Sequence, residues 1–178
     1  IRNRKMGYYR EDENTSRKTT KATGTGDRRH PLAFILEAAD DLAYKTADIE
    51  DAFVKGFITY SALERELKTL GEDSAGCAFH PLEKLRQLYE RGMSKSVDNP
   101  ESYAVKNWIV RAQGFLISCA TYGFTSNYDA IMEGSFGKDL FYGTYGEKLM
   151  ELLGDMAYRY VFSSRAIYKM ELTESAIL

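Results

Sequence analysis

From Pro31 to Lys55 the chain holds no glycine and no proline after the first position, and Gly56 closes the run. Proline suits a first helical position, where its missing N–H costs nothing, and glycine readily takes the left-handed conformation that ends a helix. The stretch therefore predicts one long continuous helix, around which any compact fold must arrange its other elements. At about 100° per residue, Leu32, Ile35, Ala39, Leu42, Thr46, Ile49 and Phe53 form a broad apolar face, and Glu37, Asp41, Asp48 and Asp51 an acidic one. Asp40 falls between the two, beside Leu36, Ala43, Tyr44 and Ala47, and is expected to be partly buried.

Asp40, Tyr44 and Asp48 follow one another at spacings of one helical turn. Side chains four apart stack along one face, so a carboxylate, a phenol and a second carboxylate can converge on one ligand. An aspartate is a suitable oxygen ligand for a hard cation such as Mg²⁺ or Mn²⁺, although one carboxylate does not hold a catalytic metal alone. The phenol and the second carboxylate suit a sugar, the ring stacking and the carboxylate accepting a hydroxyl proton. The plainer reading stays open on pattern alone: paired aspartates on a helix are more often solvated, and a single tyrosine more often packs in a core.

Other helices are expected near Asn14 to Ala22, from the capping-box pattern Ser61-Ala62-Leu63-Glu64 to Leu70, from Pro81 to Arg91 with Gly92 as the stop, and from Glu101 to Tyr122. A turn-rich stretch with Gly134, Gly137, Gly143 and Gly146 precedes helices from Glu147 to Phe162 and from Arg165 onward. No segment shows the sustained alternation of a strand between turn signals. The predicted architecture is an all-α helical bundle forming a single unit over residues 1–178, with 1–30 a connector, 31–55 the site helix and 56–178 the helical remainder.

A length of 178 residues permits one substantial core, and 44% hydrophobic with 28% charged residues describes an ordered globular chain. The net charge of −2 provides no global attraction to nucleic acid, so basic residues near the start, such as Arg2, Arg4, Lys5 and Arg10, could act only locally. Cys77 and Cys119 have no metal spacing, and with no signal-type or membrane-length apolar run the expected location is the cytoplasm, without a structural disulfide. His30 and His80, each before a proline, read as helix-start residues. Beginning at Ile1 and stopping at Leu178 within a helical pattern, the chain is expected to be a segment of a longer protein.

Arg29-His30-Pro31-Leu32, Glu37-Ala38-Ala39-Asp40-Asp41, Tyr44 and Asp48-Ile49-Glu50-Asp51 closely resemble the segment of bacterial deoxyguanosinetriphosphate triphosphohydrolases that supplies the last metal ligand of their HD domain. Lys5-Met6-Gly7-Tyr8-Tyr9 resembles the family's upstream Lys-x-Gly-aromatic-aromatic stretch. Ala157 to Leu172, with Val161-Phe162-Ser163 and Glu171-Leu172, resembles its C-terminal helical region. The likeness is weak between Gly71 and Asn99.

The resemblance implies part of an HD-domain phosphohydrolase fold and hydrolysis of dGTP to deoxyguanosine and inorganic triphosphate, with Mg²⁺ or Mn²⁺. By matching of residues, Asp40 is implied as a metal ligand, Tyr44 and Asp48 as contacts to the 2′ and 3′ positions of deoxyribose, Lys5 as a triphosphate contact and Glu171 as a guanine contact. The family's histidine and His-Asp pair have no counterpart in this sequence; they are expected before Ile1, and the segment alone is expected to be inactive. Lys106 and Arg111 read as solvated cations and stay outside the site. Similar enzymes are homo-oligomers, and the resemblance admits nucleic acid as an effector; Tyr142, Tyr145, Tyr158, Tyr160 and Tyr168 suit either subunit packing or the core. Two alternatives accompany this reading: a non-catalytic helical module for nucleotide binding or oligomerisation, and an HD phosphohydrolase of broader dNTP preference.

Overall fold

The computed structural model describes residues 9–26, 28–71 and 79–162. Among them the chain is all-α, as the periodicity predicts, and forms no strand. A 3-10 turn at Arg10–Asp12 leads into α1 (Glu13–Thr23), followed by α2 (Pro31–Val54), α3 (Tyr60–Lys68), α4 (Pro81–Ser94), α5 (Pro100–Ser126), α6 (Tyr128–Glu133) and α7 (Glu147–Met156). The last passes directly into π-helical turns at Ala157–Phe162. No helix among the described residues is long and apolar enough to cross a membrane.

Helix starts follow local chemistry. His30 Nδ1 accepts from the Leu32 N–H at 3.1 Å ahead of Pro31, and Asn99 Oδ1 accepts from Ser102 at 2.9 Å ahead of Pro100. At α3 the expected Ser61 cap is corrected to Thr59, whose extended backbone places its hydroxyl 3.1 Å from the Ala62 N–H. Gly56 ends α2 with φ 76°, a conformation that costs a side-chain-bearing residue about 1–2 kcal/mol. Gly92, expected as a stop, lies inside α4; a Cβ there would sit 3.3 Å from Pro100 Cα, so the missing side chain lets α5 start close by.

α5 is the central element, burying Ala104, Val105, Trp108, Ile109, Ala112, Leu116 and Cys119. It packs on α4 and on α2, and the Trp108 indole donates to the Pro81 carbonyl at 2.8 Å, pinning the start of α4. Truncating a fully buried tryptophan of this kind to alanine costs about 3–5 kcal/mol. α5 runs past Tyr122 to Ser126, because Gly123 is no breaker but a contact point beneath the Leu140 backbone. The short α6 sits within what the sequence reads as turns; it is anchored by Arg28, whose Nη1 donates to the Glu133 carbonyl at 3.0 Å.

On α2 the buried residues are Phe34, Ala38, Leu42, Thr46, Ile49 and Ala52. The expected face is therefore corrected over its first half, where Leu32 and Ile35 turn outward. The first turns of α2, with Leu32, Phe34, Ile35 and Leu36 apolar all round, leave the orientation there undetermined by periodicity. Tertiary contacts decide it: Phe34 packs against Phe136, ring centroids 5.7 Å apart, beneath the Arg29 guanidinium at 4.1 Å.

Candidate functional site

With Phe34 and Ile49 inward, the wheel places Asp40 on the side of α2 away from the core. Asp40 is exposed, a correction of the partial burial expected from its alanine neighbours. Those neighbours, Leu36, Ala43 and Ala47, are exposed with it. Tyr44 is 66% exposed and Asp48 half-buried, so the three lie along one outward strip. The strip is unusually apolar for a solvent face, since Leu32 is 64% and Leu36 71% exposed.

Burial, reinforced by the charge of Asp51 and opposed by Lys55, raises the Asp48 carboxyl above its ordinary value. Asp51 pairs with Lys55 at 3.2 Å. Glu37, on the expected acidic face, is paired with Arg29. Burial lowers the Arg29 guanidinium from its usual range against the opposing charges of Asp139 and Asp41.

Asp40 is the donor type that a hard cation takes, but among the described residues no three His, Cys, Asp or Glu side chains meet to hold a metal ion. His30 is engaged in capping α2. Asp40 alone therefore does not fit a complete centre. Lys5 and Glu171, and also Cys77 and Tyr168, lie outside the described residues. Lys106 and Arg111 are exposed on α5. Tyr142, Tyr145 and Tyr158 are exposed, while Tyr160 packs against the core.

Behind the strip, α2 is tied to two neighbours by contacts that sequence inspection misses. Lys45 Nζ donates to the Met150 carbonyl of α7 at 3.3 Å, and Gln113 of α5 donates to the Thr46 hydroxyl at 2.9 Å. Both partners are remote in sequence, and no local pattern marks them. A cavity of about 380 Å³ opens between α2 and α5, but its walls, including Ile35, Leu42, Ile117 and Phe124, offer only the Thr121 hydroxyl as a polar side-chain group. It lacks the convergent polar groups that orient a nucleotide.

No protein-family model matches the chain. It is 32% identical over 182 aligned residues to the deoxyguanosinetriphosphate triphosphohydrolase-like protein of Listeria monocytogenes, covering 100% of this chain and 37% of that protein. It is 30% identical over 177 residues to the deoxyguanosinetriphosphate triphosphohydrolase of an Enterobacter species, and 29% identical over 175 residues to that of Yersinia enterocolitica. Each alignment covers 95% of this chain and 34% of the relative. The chain thus spans about a third of the length of these relatives. Over essentially all of its own sequence, it is a homologue of part of the deoxyguanosinetriphosphate triphosphohydrolases.

Proposed function

We propose that this chain forms one side of the active site of a dNTP triphosphohydrolase that splits dGTP into deoxyguanosine and inorganic triphosphate. The observation that carries the reading is the outward Asp40, Tyr44, Asp48 strip on α2 in a chain homologous to proteins of that name. Asp40 would be one oxygen ligand of Mg²⁺ or Mn²⁺, with the other ligands supplied elsewhere in the protein. Such a cation, when bound, polarises a phosphoryl oxygen and lowers the pKa of a water.

The work of this chain is to hold and select the nucleoside. The exposed Tyr44 ring would stack against deoxyribose and leave no room for a 2′-hydroxyl, while the Asp48 carboxylate would accept the 3′-hydroxyl proton. Lys5 would neutralise triphosphate charge and Glu171 would accept from guanine N–H groups. The apolar surface of Leu32 and Leu36 beside Asp40 suits contact with the further two thirds of the protein that the relatives' length implies. With one ligand only, the chain by itself would not turn over substrate. Assembly as a homo-oligomer, a cytoplasmic location and a nucleic-acid effector belong to the same proposal, and four-dNTP comparison distinguishes dGTP preference from broader use.

The test is release of inorganic triphosphate from dGTP by the whole protein with Mg²⁺ or Mn²⁺. Asp40→Ala is expected to lower kcat/KM at least about a thousandfold, the scale of a lost catalytic metal contribution of several kcal/mol. Wild-type turnover by that variant would remove Asp40 from the site.

A further inference from the structure

Lys45 follows Tyr44 in sequence, yet its side chain runs inward, across α7 and not along the exposed strip. Helix side chains tilt toward the N-terminus, so the residue at i+4 overlies the carbonyl of residue i. Four residues after Met150 stands Gly154. Its missing side chain leaves the Met150 carbonyl open from outside, and Lys45 occupies the gap: a Cβ on residue 154 would lie 3.3 Å from Lys45 Cε and 3.5 Å from its Nζ.

One residue further, Thr46 is buried, donates to the Leu42 carbonyl at 2.8 Å and accepts from Gln113 at 2.9 Å. A single turn of α2 is thus held from two sides, by α7 and by α5. Apolar helix contacts resist separation but tolerate slip and rotation; hydrogen bonds are directional and do not. Lysine is a costly choice for stability alone, since ordering it gives up as much rotamer freedom as any side chain loses. What the tie supplies is direction, and the turn it holds is the one that carries Tyr44 and Asp48.

We infer that Lys45 and Gly154 form a positioning pair that sets the rotation of α2 against α7, and through it the placement of the Tyr44 phenol and the Asp48 carboxylate. The consequence for sugar selection rests on the function proposed above; the rotational claim stands on the contacts alone.

The experiment compares Lys45→Met, Lys45→Arg, Gly154→Ala and the Lys45→Met/Gly154→Ala double variant in the whole protein. Two readouts are taken: amide hydrogen exchange over residues 44–48, and the ratio of kcat/KM for dGTP over GTP. Lys45→Met and Gly154→Ala are each expected to speed exchange in that turn about five- to tenfold, the size of one hydrogen bond, and to lower the ratio by a similar factor. Lys45→Arg, which keeps a donor, stays near wild type, and the double variant is no worse than either single change. Unchanged exchange in the folded single variants, or additive effects in the double, overturns the pair; should Lys45→Met fail to fold, Gly154→Ala reads the same tie with the lysine retained. Faster exchange with an unaltered ratio overturns the link to Tyr44. A wild-type protein that does not hydrolyse dGTP sinks the functional reading instead, and exchange alone then judges the pair.

Discussion

Glu66 accepts both terminal nitrogens of Arg159, at 3.0 and 2.7 Å, and its Oε1 also accepts the Tyr160 hydroxyl proton at 2.7 Å. Glu66 is 7% exposed, and its carboxylate joins α3 to the π-helical turns at Ala157–Phe162. Successive residues of an α-helix diverge by about 100°. The wider π turn narrows that angle, which lets Arg159 and Tyr160 reach one acceptor together.

The Arg159 hydrogen bonds hold the Glu66 carboxyl below its ordinary value of 4.5, aided by the Tyr160 hydroxyl and the charges of Arg159 and Arg65 and opposed by burial. A depressed carboxyl stabilises the fold above the ordinary value and loses that contribution as pH falls through the lower folded value. Urea unfolding followed from about pH 6 to about pH 2 is expected to show this loss in the wild type and a flatter profile in Glu66→Gln. At neutral pH the substitution costs about 1.5–3 kcal/mol, the range for hydrogen bonds to charged groups. Equal profiles would show that the clamp contributes nothing.

Gly123 has no space for a side chain. A Cβ there would collide with the Leu140 carbonyl oxygen, and a backbone atom cannot rotate away as a flexible side chain can. Gly123→Ala is expected to cost about 3 kcal/mol by overpacking. Gly114→Ala on the same helix, where nothing lies within 4 Å, is the control and should be stabilising or neutral in thermal melts.

Asp48 carries a raised carboxyl pKa, caused first by burial and then by Asp51. A raised acid favours the fold most below its ordinary value, and that advantage is lost as pH rises through the folded one. Asp48→Asn should therefore unfold at a slightly higher denaturant concentration at pH 7, by up to about 0.5 kcal/mol, with no gain at acid pH. If the carboxylate holds the 3′-hydroxyl, the same variant raises KM for dGTP. Greater stability with unchanged KM would leave Asp48 without a role in the site.

Tyr44 is 66% exposed and supports little of the fold. Tyr44→Ala is expected to change stability by no more than about 0.5 kcal/mol, yet to bring dGTP and GTP turnover close together. Side-by-side kinetics on the two nucleotides decide it, and an intact preference for dGTP would contradict the stacking role.

The helical character of the chain is legible from Pro31, Pro81 and Pro100, which each open a helix at the first position. Gly56 is read correctly as a stop because its function is local conformation. Gly92, Gly123 and Gly154 are not legible in the same way. Their value lies in what approaches them, namely Pro100, the Leu140 backbone and Lys45, and no local pattern announces a neighbour. The π turns after Met156 are equally hidden, since the contacts from Arg159 and Tyr160 to Glu66 span sequence separations of 93 and 94 residues.

The sequence by itself determined that Asp40, Tyr44 and Asp48 share a face, because a regular helix converts spacing into direction. It did not determine whether that face looks into the bundle or out of it. α2 is apolar on several sides, so burying Leu32 with Ile35 or Phe34 with Ala38 satisfies the same periodicity. The Phe34 contact with Phe136, the Gln113 bond to Thr46 and the Lys45 bond to Met150 chose between them, and that choice put Asp40 and Tyr44 outside with Asp48 half-buried beside them.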